Sequence, residues 1–144
     1  MIYTDLTKLA MKVAFDVHKD QVDISKLPYI YHPIHLAEQM DDEYSVCVAL
    51  LHDVIEDTDD IIGAINLLEM GFPEEVVNAV DILTHKDYQT YEEYIEAISK
   101  NPLARKVKIA DLEHNMDITR LPKNFKFRKY KTYKKALKYL CSEN

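Results

Sequence analysis

Glycine is scarce in this chain: two residues in 144, alongside five prolines. A hairpin-rich β protein spends glycine at its turns, so the shortage argues against that architecture and for a helical one. The two cysteines, Cys47 and Cys141, are not spaced as a metal pair. That excludes an all-thiolate structural zinc site and reads as two reduced thiols of a cytoplasmic protein. No apolar segment approaches ~18 residues, so no membrane span is expected. The first residues, Met1-Ile2-Tyr3-Thr4-Asp5, carry no basic stretch followed by an apolar one, so no signal peptide is visible.

What is present is ordinary in bulk, with 47% hydrophobic and 30% charged residues. A single domain with a real core is expected at this length, its body over about 6–120 and a basic helix over about 120–142. The net charge of −7 hides an asymmetry. Between Arg120 and Asn144 stand nine Lys or Arg and one acid, Glu143, so this tail carries +8 and the remainder −15. A basic helix docked on an acidic body explains it, as does a rim that attracts phosphate; nucleic acid is not the expected partner. Tyr130, Tyr133, Leu137 and Leu140 sit at helical spacing, which packing explains better than base stacking.

Periodicity and stop signals predict about eight helices and no convincing strand. They cover 6–18, 34–40 after Pro33, 43–56, a segment opened by Thr58 or Asp59 and closed by Gly71, one starting after Pro73, 91–99, 102–118, and the basic tail. The 43–56 stretch is apolar on nearly every side and is expected at the centre. Tyr29-Ile30-Tyr31 is expected to be extended. Ile61, Ile65 and Leu68 form the expected buried stripe of the fourth helix.

Four short segments hold polar residues that a helical core would not choose: His32-Pro33-Ile34-His35, His52-Asp53 with Glu56 and Asp57, Lys108-Ile109-Ala110-Asp111, and His114-Asn115-Met116-Asp117. His52 and Glu56 are four apart, as are Asp53 and Asp57, and Asp111 and Asn115, so each pair shares a helix face. Such groups are costly to bury unless something pairs with them. Two histidines and two carboxylates make a mixed N/O site suited to Mn²⁺, Fe²⁺, Mg²⁺ or Zn²⁺.

His32, His52-Asp53 and Asp111 follow the order H…HD…D, and the chain resembles the HD superfamily of metal-dependent phosphohydrolases. Pro28-Tyr29-Ile30-Tyr31-His32-Pro33, Leu50-Leu51-His52-Asp53-Val54-Ile55-Glu56-Asp57-Thr58 and Lys108-Ile109-Ala110-Asp111-Leu112-Glu113-His114-Asn115-Met116 are similar to the hydrolase domain of RelA/SpoT proteins and their small stand-alone Mesh-type relatives. The resemblance spans about residues 6–120 and implies an all-α, single compact helical bundle. It implies that His32, His52, Asp53 and Asp111 hold one divalent metal, usually manganese. Glu56 and Asp57 match the acids that handle the nucleophilic water, and Asn115 a residue near ribose and phosphate. The implied reaction releases pyrophosphate from the 3′ position of guanosine tetra- or pentaphosphate. No segment resembling the synthetase domain follows, so a stand-alone hydrolase is expected.

Two stretches depart from that pattern. The Arg-Lys-Ser-Gly that contacts guanine in the family is Asp23-Ile24-Ser25-Lys26-Leu27 here, and Ala-Asp-Arg-Leu-His-Asn-Met is Ala110-Asp111-Leu112-Glu113-His114-Asn115-Met116. An HD phosphatase for another phosphorylated nucleotide, a deoxynucleotide or an NADPH-like one, therefore stays open, as does a non-catalytic nucleotide-binding regulatory domain. Lys26 is a candidate to replace the missing cations, Lys108 to offset charge on the phosphate, and His18 and His114 to contact it. His35 is expected behind the ligands and His85 at a helix end; a two-metal site using His85 and His114 stays open. The expected partner is a small phosphorylated nucleotide, and a homo-oligomer is left open.

Overall fold

The computed structural model describes residues 1–142; Glu143, the acid of the basic tail, lies outside them. Among the described residues the chain forms nine α-helices: α1 (Asp5–His18), α2 (Tyr31–Glu38), α3 (Glu43–Leu51), α4 (Val54–Asp57), α5 (Ala64–Glu69), α6 (Glu74–Leu83), α7 (Tyr91–Ser99), α8 (Pro102–Asn115) and α9 (Tyr130–Ser142). A 3-10 turn covers Ile118–Arg120. No strand occurs among them beyond one isolated antiparallel bridge between Val22 and Pro28. None of these helices is long and apolar enough to cross a membrane.

Side-chain caps set four of the helix starts. Thr4, Asp42, Thr90 and Asn101 each accept a backbone N–H of the first turn of α1, α3, α7 and α8. Pro102 at the first position of α8 lacks only an N–H that had no intrahelical partner. α5 closes with Gly71 at φ 105°, where the Phe72 and Gly71 N–H groups bond the Leu67 and Leu68 carbonyls at 3.2 and 3.0 Å. This left-handed closure suits glycine and turns Phe72 back into the core.

α3 is the axis of the fold. Every residue from Ser45 to Leu51 is buried, because α1, α2, α6 and α8 pack around it. α8 lies against α3 on one side and carries α7 and α9 on others. That arrangement brings the end of α3, the start of α2 and the last turns of α8 to one place.

Several sequence expectations shift here. The predicted 43–56 helix is broken: α3 stops at Leu51 and α4 starts at Val54, with Asp53 between them at φ −105°, ψ 3°. Tyr29-Ile30-Tyr31 is a turn leading into α2, not an extended piece; the Tyr31 and His32 N–H groups already bond back to Pro28 and Tyr29. α8 ends at Asn115, and the basic helix begins at Tyr130 after an irregular segment, not near residue 120. The Ile61–Ile65–Leu68 stripe faces outward, with Ile61 and Ile65 81% and 73% exposed, while Leu67 turns into the core. Only six residues of this segment are helical, and its capping geometry at Gly63 and Gly71 sets the face that turns inward.

Asp42 gives a testable contribution. Its carboxylate accepts the Ser45 N–H at 2.8 Å and pairs with Lys106 at 2.9 Å. Slight burial opposes the charged form, but these two partners outweigh it and lower the carboxyl from 3.8 to about 2. A depressed value stabilises the fold above the ordinary pKa and is lost as pH falls through the native one. Asp42→Ala is expected to cost about 1 kcal/mol in urea unfolding at neutral pH, and progressively less below about pH 4.

Candidate metal centre

The break between α3 and α4 builds the site. On a continuous helix, consecutive side chains diverge by about 100°. Here the turn lets His52 and Asp53 converge, with His52 Nε2 3.1 Å from Asp53 Oδ2. His52 Nδ1 donates to the Ala49 carbonyl at 2.7 Å, which turns Nε2 toward the carboxylates. That nitrogen is buried and makes no hydrogen bond, although two carboxylates face it.

α2 and α8 supply the rest. His32, in the first turn of α2, puts Nε2 2.8 Å from Asp111 Oδ1, and the same oxygen lies 3.6 Å from His52 Nε2. Donor atoms of His32, His52 and Asp53 all lie within 4.8 Å of one another. Neighbouring donors bound to one cation at about 2.0–2.2 Å sit about 3 Å apart, which the His32–Asp111 and His52–Asp53 pairs at 2.8 and 3.1 Å match. An orphaned nitrogen aimed at two carboxylates, with a second histidine alongside, fits a divalent cation of the Mn²⁺, Fe²⁺, Mg²⁺ or Zn²⁺ type.

The electrostatics point the same way. Burial disfavours the His52 imidazolium, yet Asp53 and Asp111 outweigh it and push His52 well above its ordinary value. Burial likewise opposes the Asp53 carboxylate, but His52 and the Tyr29 hydroxyl bring it down to about 2. Asp111 is held well below the carboxylate range by Lys108, His32 and His52, against its burial. This volume is arranged for positive charge.

Outer contacts hold the donors in place. Tyr29 donates its hydroxyl to Asp53 Oδ2 and packs its ring against His18 and His32. Burial and Asp53 raise the Tyr29 pKa, so it stays a neutral donor. His114 Nδ1 lies 2.8 Å from His32 Nδ1 and its ring stacks on His35 at 3.8 Å. Burial, Arg120 and the neighbouring histidines push His114 down to about 3, so it is a neutral acceptor for His32 Nδ1–H.

Glu56 and Asp57 stand on α4, one turn from the pair. The His85 backbone N–H donates to Glu56 Oε1 at 3.2 Å. Gln21 Nε2 donates to Asp57 Oδ2 at 3.1 Å, while Gln21 Oε1 takes the His18 Nδ1 proton at 2.7 Å. Burial and the nearby Asp53 charge raise both acids from their ordinary values.

The candidate substrate contacts fall in varied places. Lys108 is mostly buried and bonds Asp111 Oδ2 at 2.8 Å, lying over the Tyr94 ring. Asn115 donates to Asp111 Oδ1 at 3.1 Å. His18 is buried beneath Tyr29 and reaches Asp57 through Gln21. Lys26 is exposed at φ 65° on the 22–28 loop and forms no ion pair among the described residues. His85 bonds the Gln89 carbonyl and stacks on Tyr94. The roles of Tyr29 and Gln21 were missed in the sequence. Tyr29 lies in the turn before α2, so helical spacing gave no signal of its contact with Asp53.

An all-α scaffold holding a buried His/carboxylate cluster beside two acids is the class that these observations define. The chain's homologues are RelA/SpoT enzymes. It is 34% identical over 124 residues to the bifunctional (p)ppGpp synthase/hydrolase SpoT of Escherichia coli strain K12, covering 74% of this chain and 17% of that protein. It is 32% identical over 118 residues to a probable guanosine-3′,5′-bis(diphosphate) 3′-pyrophosphohydrolase of Synechocystis, covering 72% and 15%. A probable GTP pyrophosphokinase of Mycobacterium leprae is 34% identical over 124 residues, covering 77% and 15%. The chain thus spans about a sixth of the length of these relatives. No family model matches it.

Proposed function

We propose that this chain is a metal-dependent HD-type phosphohydrolase that releases pyrophosphate from the 3′ position of guanosine tetra- or pentaphosphate. The observation that carries the reading is the buried, unpartnered His52 Nε2 facing Asp53 and Asp111 beside His32. The hydrolase names among the relatives support it. His32, His52, Asp53 and Asp111 are the ligands, and Mn²⁺ is the first choice of metal. A cytoplasmic protein acting on a small nucleotide is the corresponding setting.

A bound dication supplies a more acidic water and polarises a phosphoryl oxygen. Glu56 and Asp57 orient the attacking water and take its proton; their raised pKa values make them better bases than an ordinary surface carboxylate. The water oxygen joins the phosphorus linked to the ribose, the bond from that phosphorus to the 3′ oxygen breaks, and the 3′ oxygen leaves with a proton. Lys108 holds Asp111 in place and keeps a positive charge, because Asp111 outweighs its burial. Asn115 orients the same carboxylate from the other side.

The 22–28 loop favours keeping a second reading. Asp23 spends its carboxylate on its own loop, accepting the Ser25 and Leu27 N–H groups at 2.8 and 3.0 Å, and no arginine stands there to stack on guanine. A phosphatase for a deoxynucleotide or an NADPH-like nucleotide follows from that change. Incubating the purified chain and Mn²⁺ with guanosine tetraphosphate, NADPH and deoxynucleotides separates these readings. The expected result is pyrophosphate from guanosine tetraphosphate, abolished by chelator. Release of neither phosphate nor pyrophosphate from any of them would overturn the enzyme reading and favour a nucleotide-binding regulatory domain.

A further inference from the structure

Ile61, Ile65 and Leu68 follow one another at i, i+4 and i+7, and all three are exposed, with Met70 exposed beside them. α5 packs on α6 and sends Leu67 into the core, which leaves that stripe facing solvent. The segment is held in shape. The Asp60 N–H bonds the Ile55 carbonyl and the Ile62 N–H the Thr58 hydroxyl, both at 3.1 Å, and the Asn66 side-chain oxygen takes the Gly63 N–H at 2.8 Å. Neighbouring exposed apolar side chains with a polar rim mark an interaction site.

Charge decides what covers it. Between Asp41 and His85 stand twelve acids and no Lys or Arg. Asp59, Asp60 and Glu69 flank the stripe and are exposed. A matching surface offers apolar area and several cations, with no carboxylate among them.

The chain itself carries such a surface. On α9, Lys131, Lys134, Lys135 and Lys138 repeat at i, i+3, i+4 and i+7, which places them on one face. All four are exposed, and none forms an ion pair among the described residues. Tyr130 and Tyr139 are exposed as well, one on each side of the lysines. Ala136 and Leu140 are buried on the opposite side, where α9 packs on α8 and α7. No acid occurs between Arg120 and Ser142.

We propose that these two surfaces meet between copies of the chain, the lysine and tyrosine face of α9 from one copy covering the acid-rimmed stripe of α5 on another. Tyrosine rings and lysine stems lie on the isoleucines, while the ammonium heads reach Asp59, Asp60 and Glu69. Because one patch meets a different patch, the contact closes as a ring, or as a dimer in which two copies exchange it reciprocally. A lysine face alone would also suit a polyanion such as RNA. α5 decides against that partner, since RNA leaves the apolar stripe bare and its acids unpaired. A six-residue helix covered by one face of another makes a small interface, in the class below about 1,200 Å² where association is weak.

The test is the mass of the nuclease-treated full chain by analytical ultracentrifugation, at rising protein concentration in about 0.05 M and about 1 M salt. The expected mass is at least two chains at the lower salt. It falls toward one chain at the higher, where the Debye length shrinks to about 3 Å. Ile65→Lys with Glu69→Lys, and separately Lys134→Glu with Lys138→Glu, are each expected to weaken association by at least about tenfold. An equimolar mixture of the two variants is expected to recover it, because the reversed α5 of one and the reversed α9 of the other attract again. That recovery also separates lost attraction from misfolding. A single-chain mass at every concentration, an oligomer that survives either double substitution, or a mixture that stays monomeric overturns the proposal.

Discussion

Asp53→Ala is expected to remove both the bound divalent cation and turnover. The carboxylate is one of the two facing the orphaned His52 nitrogen, and Tyr29 holds it there. Losing a group that merely supports a metal ligand costs about 10–100-fold in metal affinity or activity, so losing a ligand costs on the order of 10³-fold or more. Metal analysis of the purified variant and pyrophosphate release report the two effects separately. Thermal stability adds a third readout. Saturating Mn²⁺ at about 100 times its dissociation constant stabilises the wild-type chain by about 2.7 kcal/mol, and the same addition leaves the variant unmoved. A variant that keeps metal and full activity would remove Asp53 from the site.

Glu56→Gln is expected to do something different: turnover falls by about 10²–10⁴ while the metal stays. Glu56 sits on α4, where its carboxylate accepts the His85 N–H. The amide keeps the size of the side chain and the bond from His85 but cannot take a proton. Asp57→Asn should behave likewise to a smaller extent if Glu56 is the base, and to a larger extent if Asp57 is. Comparing the two variants therefore assigns the proton acceptor. Equal metal content and unchanged turnover in both would leave the water without a protein base.

Much of the site was legible in the residues, because its chemistry is out of place in a core. His32, His52, Asp53 and Asp111 stand among apolar neighbours, and burying such groups calls for a partner. The structure sets donor atoms of His32, His52 and Asp53 within 4.8 Å of one another and puts Asp111 Oδ1 2.8 Å from His32 Nε2, across 79 positions of sequence. The helical class was legible for a similar reason, since glycine and proline mark boundaries. Contacts between distant segments were not. Nothing in the spacing of His18, Gln21 and Asp57 announces that an amide links them. Ile61, Ile65 and Leu68 have helical periodicity, but caps at both ends of a six-residue helix set its rotation and turn that stripe outward. The α3–α4 break was hidden because Val54 and Ile55 continue the apolar pattern on the far side of the turn.

That break concentrates charge. Most of the chain is locally consistent: capped helices, an apolar axis and acids in first turns agree on one fold. At residues 52–53 the backbone instead delivers an imidazole and a carboxylate to the volume that Asp111 already occupies. The two carboxylates hold a proton on His52, and the proposed cation must displace it. Affinity for that cation is then set by how firmly α3 and α8 hold the three groups together, so core substitutions that loosen α3 are expected to weaken it without touching any of them.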